Sequence, residues 1–247
     1  MRFALLADVH ANLEAFEACL AHARARGAAR IVLLGDLVGY GADPEAVLTR
    51  VMALRAEGAI VLKGNHDAAI DGPAGYFNEA AREALQWTRS RLDAAARAFL
   101  ASLPLVVREG DLIFVHASAR DPERWTYLDG TGAAQRCFDA EPGANYLFAG
   151  HTHGHRLYAH LHEGRANAFV PVPGTAIPVG RHRRWLAVVG AVGQPRDGDA
   201  RAAYALFDEP AETITFHRVA YDHAGAAGKV RAAGLPRSLA QLLEGRA

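Results

Sequence analysis

The sequence predicts an α/β fold, a single domain over residues 1–247 with two β-sheets packed face to face and flanked by helices. Three observations carry this. In the first half, short apolar runs alternate with longer amphipathic stretches, the pattern of parallel strands joined by helices. In the second half the helical stretches give way to closely spaced strand-like runs that fit antiparallel pairing. Five of the apolar runs stop at Gly, Asp, Asn or His, where open α/β sheets build their sites.

The elements follow in order. Residues 3–7 are an apolar strand, and residues 12–26 set Leu13, Phe16, Cys19 and Leu20 at helical spacing, with Cys19 on the core face. Residues 31–34 form a second strand. Residues 44–57 form a helix with Pro44 in its first turn, and residues 59–62 a third strand. Residues 78–103 read as one long helix, with Asn78 as its N-cap and Pro104 beyond its end. Residues 112–115 and 146–149 are further strands. Beyond them lie strands at 156–162, 168–172, 185–189, 202–207 and 213–219. A closing helix at 224–243 is interrupted by Gly234-Leu235-Pro236.

Composition narrows the function. Hydrophobic residues make up 51% of the chain, enough for a full core and too many for disorder. Lys plus Arg equals Asp plus Glu at 27 each, so no bulk attraction to nucleic acid or anionic membrane is expected. Recognition of any charged ligand must therefore come from a local site. The two cysteines, Cys19 and Cys137, exclude a disulfide scaffold and fit a reducing compartment. The apolar start ends at Asp8, too early for a signal-peptide core, and no run is long enough to span a membrane. A cytoplasmic location is expected.

The chemistry sits at the strand ends. FALLA leads into Asp8-Val9-His10, IVLL into Gly35-Asp36, and AIVLK into Gly64-Asn65-His66-Asp67. LIFV leads into His116, and YLFA into Gly150-His151-Thr152-His153. Asp8 and His10 are two apart, as are His151 and His153. On extended backbone such pairs share a face and reach one small volume. The glycines before Asp36, Asn65 and His151 suit sharp turns and close backbone approach. Imidazole combined with carboxylate suits Zn, Mn, Fe or Ni.

The series DVH, GDLVGYG, GNHD, a lone strand-end His and GHTH resembles the calcineurin-like metallophosphoesterases. The match runs in order from Asp8 to His153. Within that superfamily the chain is similar to the small bacterial and archaeal phosphodiesterase group, through DVHANLEAF, GDLVGYGADP and GAVGQPRDGD with Ala203-Tyr204 beyond. The resemblance implies a four-layer α-β-β-α sandwich with a dinuclear metal site at the carboxyl ends of the strands. It implies that Asp8, His10 and His153 hold one divalent ion and that Asn65, His116 and His151 hold the other. Asp36 would bridge both, with Mn the ion of first choice in vitro. His66 would stabilise charge on the phosphate or protonate the leaving oxygen, and Asp67 would orient His66. Asp8 and Asp36 cancel half the charge of two divalent ions. The remainder suits a phosphate ester and a bridging hydroxide as nucleophile.

Several residues keep two readings. Asp67 is also a plain turn residue beside the site. Asn12 either contacts substrate phosphate or caps the helix that follows it. Arg196, in GQPRDGD, is either a substrate-binding residue or a surface charge in a Gly/Pro turn. His155 either reaches the mouth of the site or lies on a solvated strand. The run Arg181-His182-Arg183-Arg184 is a solvated loop face or a phosphate-steering patch.

The chain also departs from the pattern. Gly39-Tyr40-Gly41 stands where many phosphoprotein phosphatases carry Asp-Arg, and Val188 and Ala191 stand where the group offers Asn and Ser. The first departure favours a phosphodiesterase acting on a small soluble phosphate ester. A phosphomonoesterase or a dinucleoside polyphosphate hydrolase is the enzyme alternative. A protein-interaction scaffold is the non-enzyme alternative, against which every ligand position is filled. A homodimer is left open.

Overall fold

A computed structural model describes residues 1–73, 77–160 and 164–245. In chain order the elements are β1 (Arg2–Leu6), α1 (Leu13–Ala25), β2 (Arg30–Leu33), α2 (Pro44–Ala56), β3 (Ile60–Val61) and α3 (Asn65–Ala69). Then come α4 (Glu79–Arg91), α5 (Ala94–Ser102), β4 (Val106–Glu109), β5 (Leu112–Val115), α6 (Thr131–Ala140), β6 (Tyr146–Ala149) and β7 (His155–His160). The chain closes with β8 (Asn167–Phe169), β9 (Ala176–Pro178), β10 (Arg184–Val189), β11 (Ala202–Asp208), β12 (Thr213–Val219), α7 (His223–Ala232) and α8 (Arg237–Leu243).

The helix expected over residues 78–103 is two helices. Asn78 does cap α4, its Oδ1 accepting from the Ala81 N–H at 2.9 Å. Leu92 then turns extended, and Asp93 starts α5 by accepting from the Ala96 N–H at 2.8 Å. Arg97 ties the corner by donating to the Arg89 and Leu92 carbonyls at the end of α4. A cap-competent Asp beats helical periodicity here. Elements α3, α6, β4 and β9 had no counterpart in the sequence expectation. The strand expected at 168–172 is only Asn167–Phe169, and residues 161 and 162 of the one expected at 156–162 lie outside the described residues.

One sheet has the order β3-β2-β1-β11-β12-β9, the other β4-β5-β6-β10-β7-β8. β1, β2 and β3 run parallel, as do β5, β6 and β10, and the later strands add antiparallel partners. Phe3, Leu5, Val32, Phe114, Tyr146, Phe148, Phe207 and Phe216 fill the space between the sheets. On the far face of the first sheet, Ala4, Leu6, Leu33 and Tyr204 pack with residues of α1, α2 and α4. On the far face of the second, Ile113, Val115, Leu147 and Val188 pack with Ala134, Cys137 and Phe138 of α6. The layers are therefore helix, sheet, sheet, helix. Both cysteines are free and buried in the outer layers. Among the described residues, no helix is long and apolar enough to cross a membrane.

Topology places the carboxyl ends of β1, β2, β3, β5 and β6 along one edge of the sandwich, because these strands are mutually parallel within each sheet. The basic run lies at the opposite end, before β10. Arg181 pairs with Asp111 and Glu212, and buried Arg184 donates to the carbonyls of Phe138, Glu141 and Ala144 at the end of α6. The steering alternative for this run is thereby overturned, since Arg184 is committed to capping a helix. We expect Arg184→Met to lower stability by about 2–4 kcal/mol, the cost of leaving such carbonyls without their charged donor. Denaturant unfolding would measure it, with the KM for a phosphate ester unchanged.

Candidate metal centre

Five loops meet at this edge, and backbone geometry sets their residues. The paired residues converge, but not on extended backbone as expected. Asp8, His10, Asp36, His151 and His153 all take the left-handed conformation, with φ of 55°, 48°, 53°, 67° and 59°. That region disfavours side chains bearing Cβ and costs about 1–3 kcal/mol per residue unless the surroundings impose it. Here they do. The β1 loop is stitched to the β2 loop by Asp8 N–H to Gly35 O (3.1 Å), His10 N–H to Asp36 O (2.9 Å) and Ala11 N–H to Leu37 O (2.9 Å). It is stitched to the β10 loop by Gly193 N–H to Asp8 O (2.8 Å).

Close approach demands glycine before Asp36, Asn65 and His151, as the sequence led us to expect; a Cβ on Gly150 would lie 2.4 Å from that of Ala7. A Cβ on Gly64 would collide with Asp36 Oδ1, and one on Gly35 would lie 2.6 Å from Gly64 N. Gly35 also has φ 96°.

The seven ligand candidates come together, all buried. His10 Nε2 lies 3.2 Å from His153 Nε2, and Asp8 Oδ1 lies 3.6 Å from His153 Nε2 and 4.0 Å from His10 Nε2. His116 Nε2 lies 3.1 Å from Asn65 Oδ1 and 3.2 Å from His151 Nδ1. Asp36 joins the two groups, its Oδ2 being 3.7 Å from His10 Nε2 and 3.4 Å from His116 Nε2. Its other oxygen accepts the His66 N–H at 2.8 Å, which fixes the carboxylate plane. Asp8 is held in the same way by the His151 N–H, at 2.9 Å to Oδ2.

The donor set fits metal ions. His10 Nδ1 faces the Val38 carbonyl at 3.2 Å, His116 Nδ1 faces that of Leu34 at 2.8 Å, and His153 Nδ1 faces that of Gln194 at 2.6 Å. A carbonyl only accepts, so each Nδ1 carries the proton, and the neutral rings of His10 and His153 each turn a bare Nε2 lone pair inward. Lone pairs 3.2 Å apart repel unless a cation lies among them. The chain gathers such atoms in two groups around a shared carboxylate, and groups Asp8/His10/His153 and Asp36/His116/His151 each converge within 4.8 Å.

Electrostatics keep most of these rings neutral. Burial drives His10 and His153 well below the usual imidazole range and takes His151 down to about 3. Burial also pushes the Asp8 carboxyl up to about 7, with Asp36 adding to it. Burial opposes ionisation of Asp36, but His116, His66 and His10 outweigh it and hold that carboxyl well below its ordinary value. His116 is the counterpart. Burial opposes its charge, yet Asp36 and Asp8 raise it to about 9. A metal ion at His116 must displace that proton.

The remaining candidates separate. His66 lines the cleft between Phe77, stacked on it at 4.5 Å, and Tyr40, also at 4.5 Å. Burial lowers it to about 4, with Arg196 adding to the effect against Asp36. Its Nδ1 is buried and has no hydrogen-bond partner among the described residues. Asp67 does not supply one, which corrects the orienting role expected of it. Its carboxylate accepts the N–H groups of Leu37, Val38 and Gly64 at 2.9, 3.2 and 2.9 Å, so it organises the turn beside the site. Asn12 is corrected likewise. Its Oδ1 caps α1 and its Nδ2 donates to Gly193 O and Tyr221 Oη, which leaves no group for phosphate. His155 packs on Phe216 at 5.0 Å and is absent from the cleft lining. Arg196 does line the cleft, lying 5.7 Å above the Tyr40 ring.

The cleft measures about 940 Å³. Its wall includes residues that sequence reasoning missed. Trp125 meets His116 edge-on at 5.8 Å, and Tyr127 stacks on His151 at 4.1 Å. Neither belongs to a motif, and no spacing rule points to an irregular segment. Tyr40 and Gln194 were within reach, since both lie inside motifs already singled out.

Known proteins resemble this chain over most of its length. The profile of the calcineurin-like phosphoesterase superfamily domain matches residues 1–211. An uncharacterized protein of Methanocaldococcus jannaschii is 34% identical over 97% of this chain and 96% of its own. A metallophosphoesterase from Sphaerobacter thermophilus is 38% identical over 100% of both chains, with a TM-score of 0.87. A hypothetical protein from Pyrococcus horikoshii shares the fold at a TM-score of 0.79, with 19% identity over 98% of this chain and 97% of its own.

Proposed function

Since the chain belongs to the calcineurin-like phosphoesterase superfamily, we propose that it is a dinuclear metal-dependent phosphodiesterase acting on a small phosphate ester. The observation that carries this is the sharing of Asp36 between two groups of inward-facing donors, with its Oδ2 between His10 and His116. Asp8, His10 and His153 would hold one divalent ion, Asn65, His116 and His151 the other, and Asp36 would serve both. Divalent ions held there would supply Lewis acidity toward the phosphoryl oxygens. Mn is the first choice for assay among Mn, Fe, Zn and Ni.

The protein's own part is to bind and orient the ester. Burial lowers His66 to about 4, which favours the neutral ring and N–H donation to a phosphate oxygen over proton transfer to the leaving group. Arg196 brings the guanidinium that the Gly39-Tyr40-Gly41 stretch lacks. Tyr40 serves as its platform, with the Arg196 Nη2 3.4 Å from the Tyr40 hydroxyl. Arg196→Ala should raise KM for a diester about tenfold or more with a smaller change in kcat, the signature of a lost ground-state contact. Steady-state kinetics would show this, and an unchanged KM would leave Arg196 a surface charge.

The test of the function is hydrolysis of bis-p-nitrophenyl phosphate with added Mn²⁺, beside p-nitrophenyl phosphate. Preferential turnover of the diester is expected. Preference for the monoester would make the enzyme a phosphomonoesterase. No turnover of either, and no metal bound, would leave a scaffold.

A further inference from the structure

The cleft is larger than a simple phosphate ester needs, and one wall has its own chemistry. That wall is the segment between β5 and α6. It makes a short 3-10 turn at Pro122–Arg124, flanked by Asp121 and Trp125 in the left-handed region, with φ of 48° and 52°. A bulky aromatic residue in that conformation is uncommon and is held there by tertiary contacts. The turn sets the Trp125 ring against His116, and Tyr127 covers His151 with half of its surface still exposed, at 50%. An exposed aromatic face beside the candidate ligands is a platform for a planar group.

Arg124 stands on this wall, and Arg136 projects beside it from α6. Both line the main cleft, and both line an adjoining pocket of about 250 Å³ with Ser118, Arg120, Asp121 and Thr126. Arg120 already lies 3.9 Å from Asp121. Among the described residues, Arg124 and Arg136 have no carboxylate within ion-pair distance, although Asp129 also lines the cleft. Most other arginines of the chain are paired with acids or tied to carbonyls, Arg181 and Arg184 among them. Two guanidinium groups left free beside an aromatic platform, in a pocket opening off the cleft, match a planar ring followed by an anion. Guanidinium forks suit phosphate in particular.

We propose that this side pocket is a subsite for a second phosphate, carried on one arm of the diester, with a ring on that arm stacked on Tyr127. The substrate class is then a nucleotide-like phosphate diester bearing a further phosphate group. This rests on the phosphodiesterase reading for the cleft but concerns residues outside its seven ligand candidates.

Calorimetric binding to Mn²⁺-loaded protein tests it, with thymidine 3′,5′-bisphosphate and thymidine 5′-monophosphate as probes. The bisphosphate should bind at least tenfold more tightly. Arg124→Gln and Arg136→Gln, each confirmed as folded by its thermal unfolding, should each cut that preference severalfold, and the double variant should abolish it. Tyr127→Ala should weaken both nucleotides alike. Equal binding of the two by the wild type, or a preference that survives in the double variant, overturns the subsite. Turnover of bis-p-nitrophenyl phosphate is measured separately. Arginine-dependent preference without any diester turnover would keep the subsite and sink the phosphodiesterase reading, so the two failures are distinguishable.

Discussion

Asp36→Asn protein is expected to lose diester hydrolysis by on the order of 10³-fold or more, and to lose bound metal with it. The substitution keeps size and shape, so the loss would be chemical. One oxygen of Asp36 is committed to the His66 N–H at 2.8 Å. An asparagine keeping that bond turns its NH₂ toward His10 and His116, where the carboxylate now places Oδ2 at 3.7 and 3.4 Å. Both groups then lose their common ligand and gain a donor facing them. The negative charge that raises His116 to about 9 also goes, and with it the strongest anionic centre of the cluster. Metal analysis and steady-state kinetics on the purified variant would measure both effects. Retention of a tenth of the activity with full metal content would mean that Asp36 is not the shared ligand.

The second large effect is expected at His66. His66→Ala should lower kcat by about 10²–10³-fold while KM and metal content stay within a few-fold of the wild type. The ring is packed between Tyr40 and Phe77 and lies near the candidate ligands without being needed to complete either group. Burial lowers it to about 4, which favours a neutral ring contributing an N–H dipole. His66→Gln, which keeps a donor, should recover part of the lost kcat. A donor-free variant as active as His66→Gln would reduce the residue to packing. Loss of metal in His66→Ala would instead make it a ligand, consistent with its lying within 4.8 Å of His10 and Asp36.

What could be read from sequence follows from where the information lies. The strands were legible because their apolar runs are short and end at Asp8, Asp36, Asn65, His116 and His151. Those endings also gave the site, since parallel strands carry their carboxyl ends to one edge. The backbone conformation was not legible. Extended spacing suggested how Asp8 and His10 converge, whereas both are left-handed, imposed by hydrogen bonds from loops distant in sequence. The side-chain budget was hidden too. Asp67 and Asn12 look like site residues, but each spends its polar atoms on nearby backbone, which only the packed structure reveals. Trp125, Tyr127 and Arg124 lie on a turn without periodicity, so nothing local in the chain announced the wall they form.

The most direct test of the account is anomalous diffraction at the manganese edge from crystals grown with Mn²⁺. The account predicts two peaks, one among Asp8, His10 and His153 and one among Asn65, His116 and His151, with the Asp36 carboxylate touching both. A single peak, or peaks that leave Asp36 unligated, would contradict it.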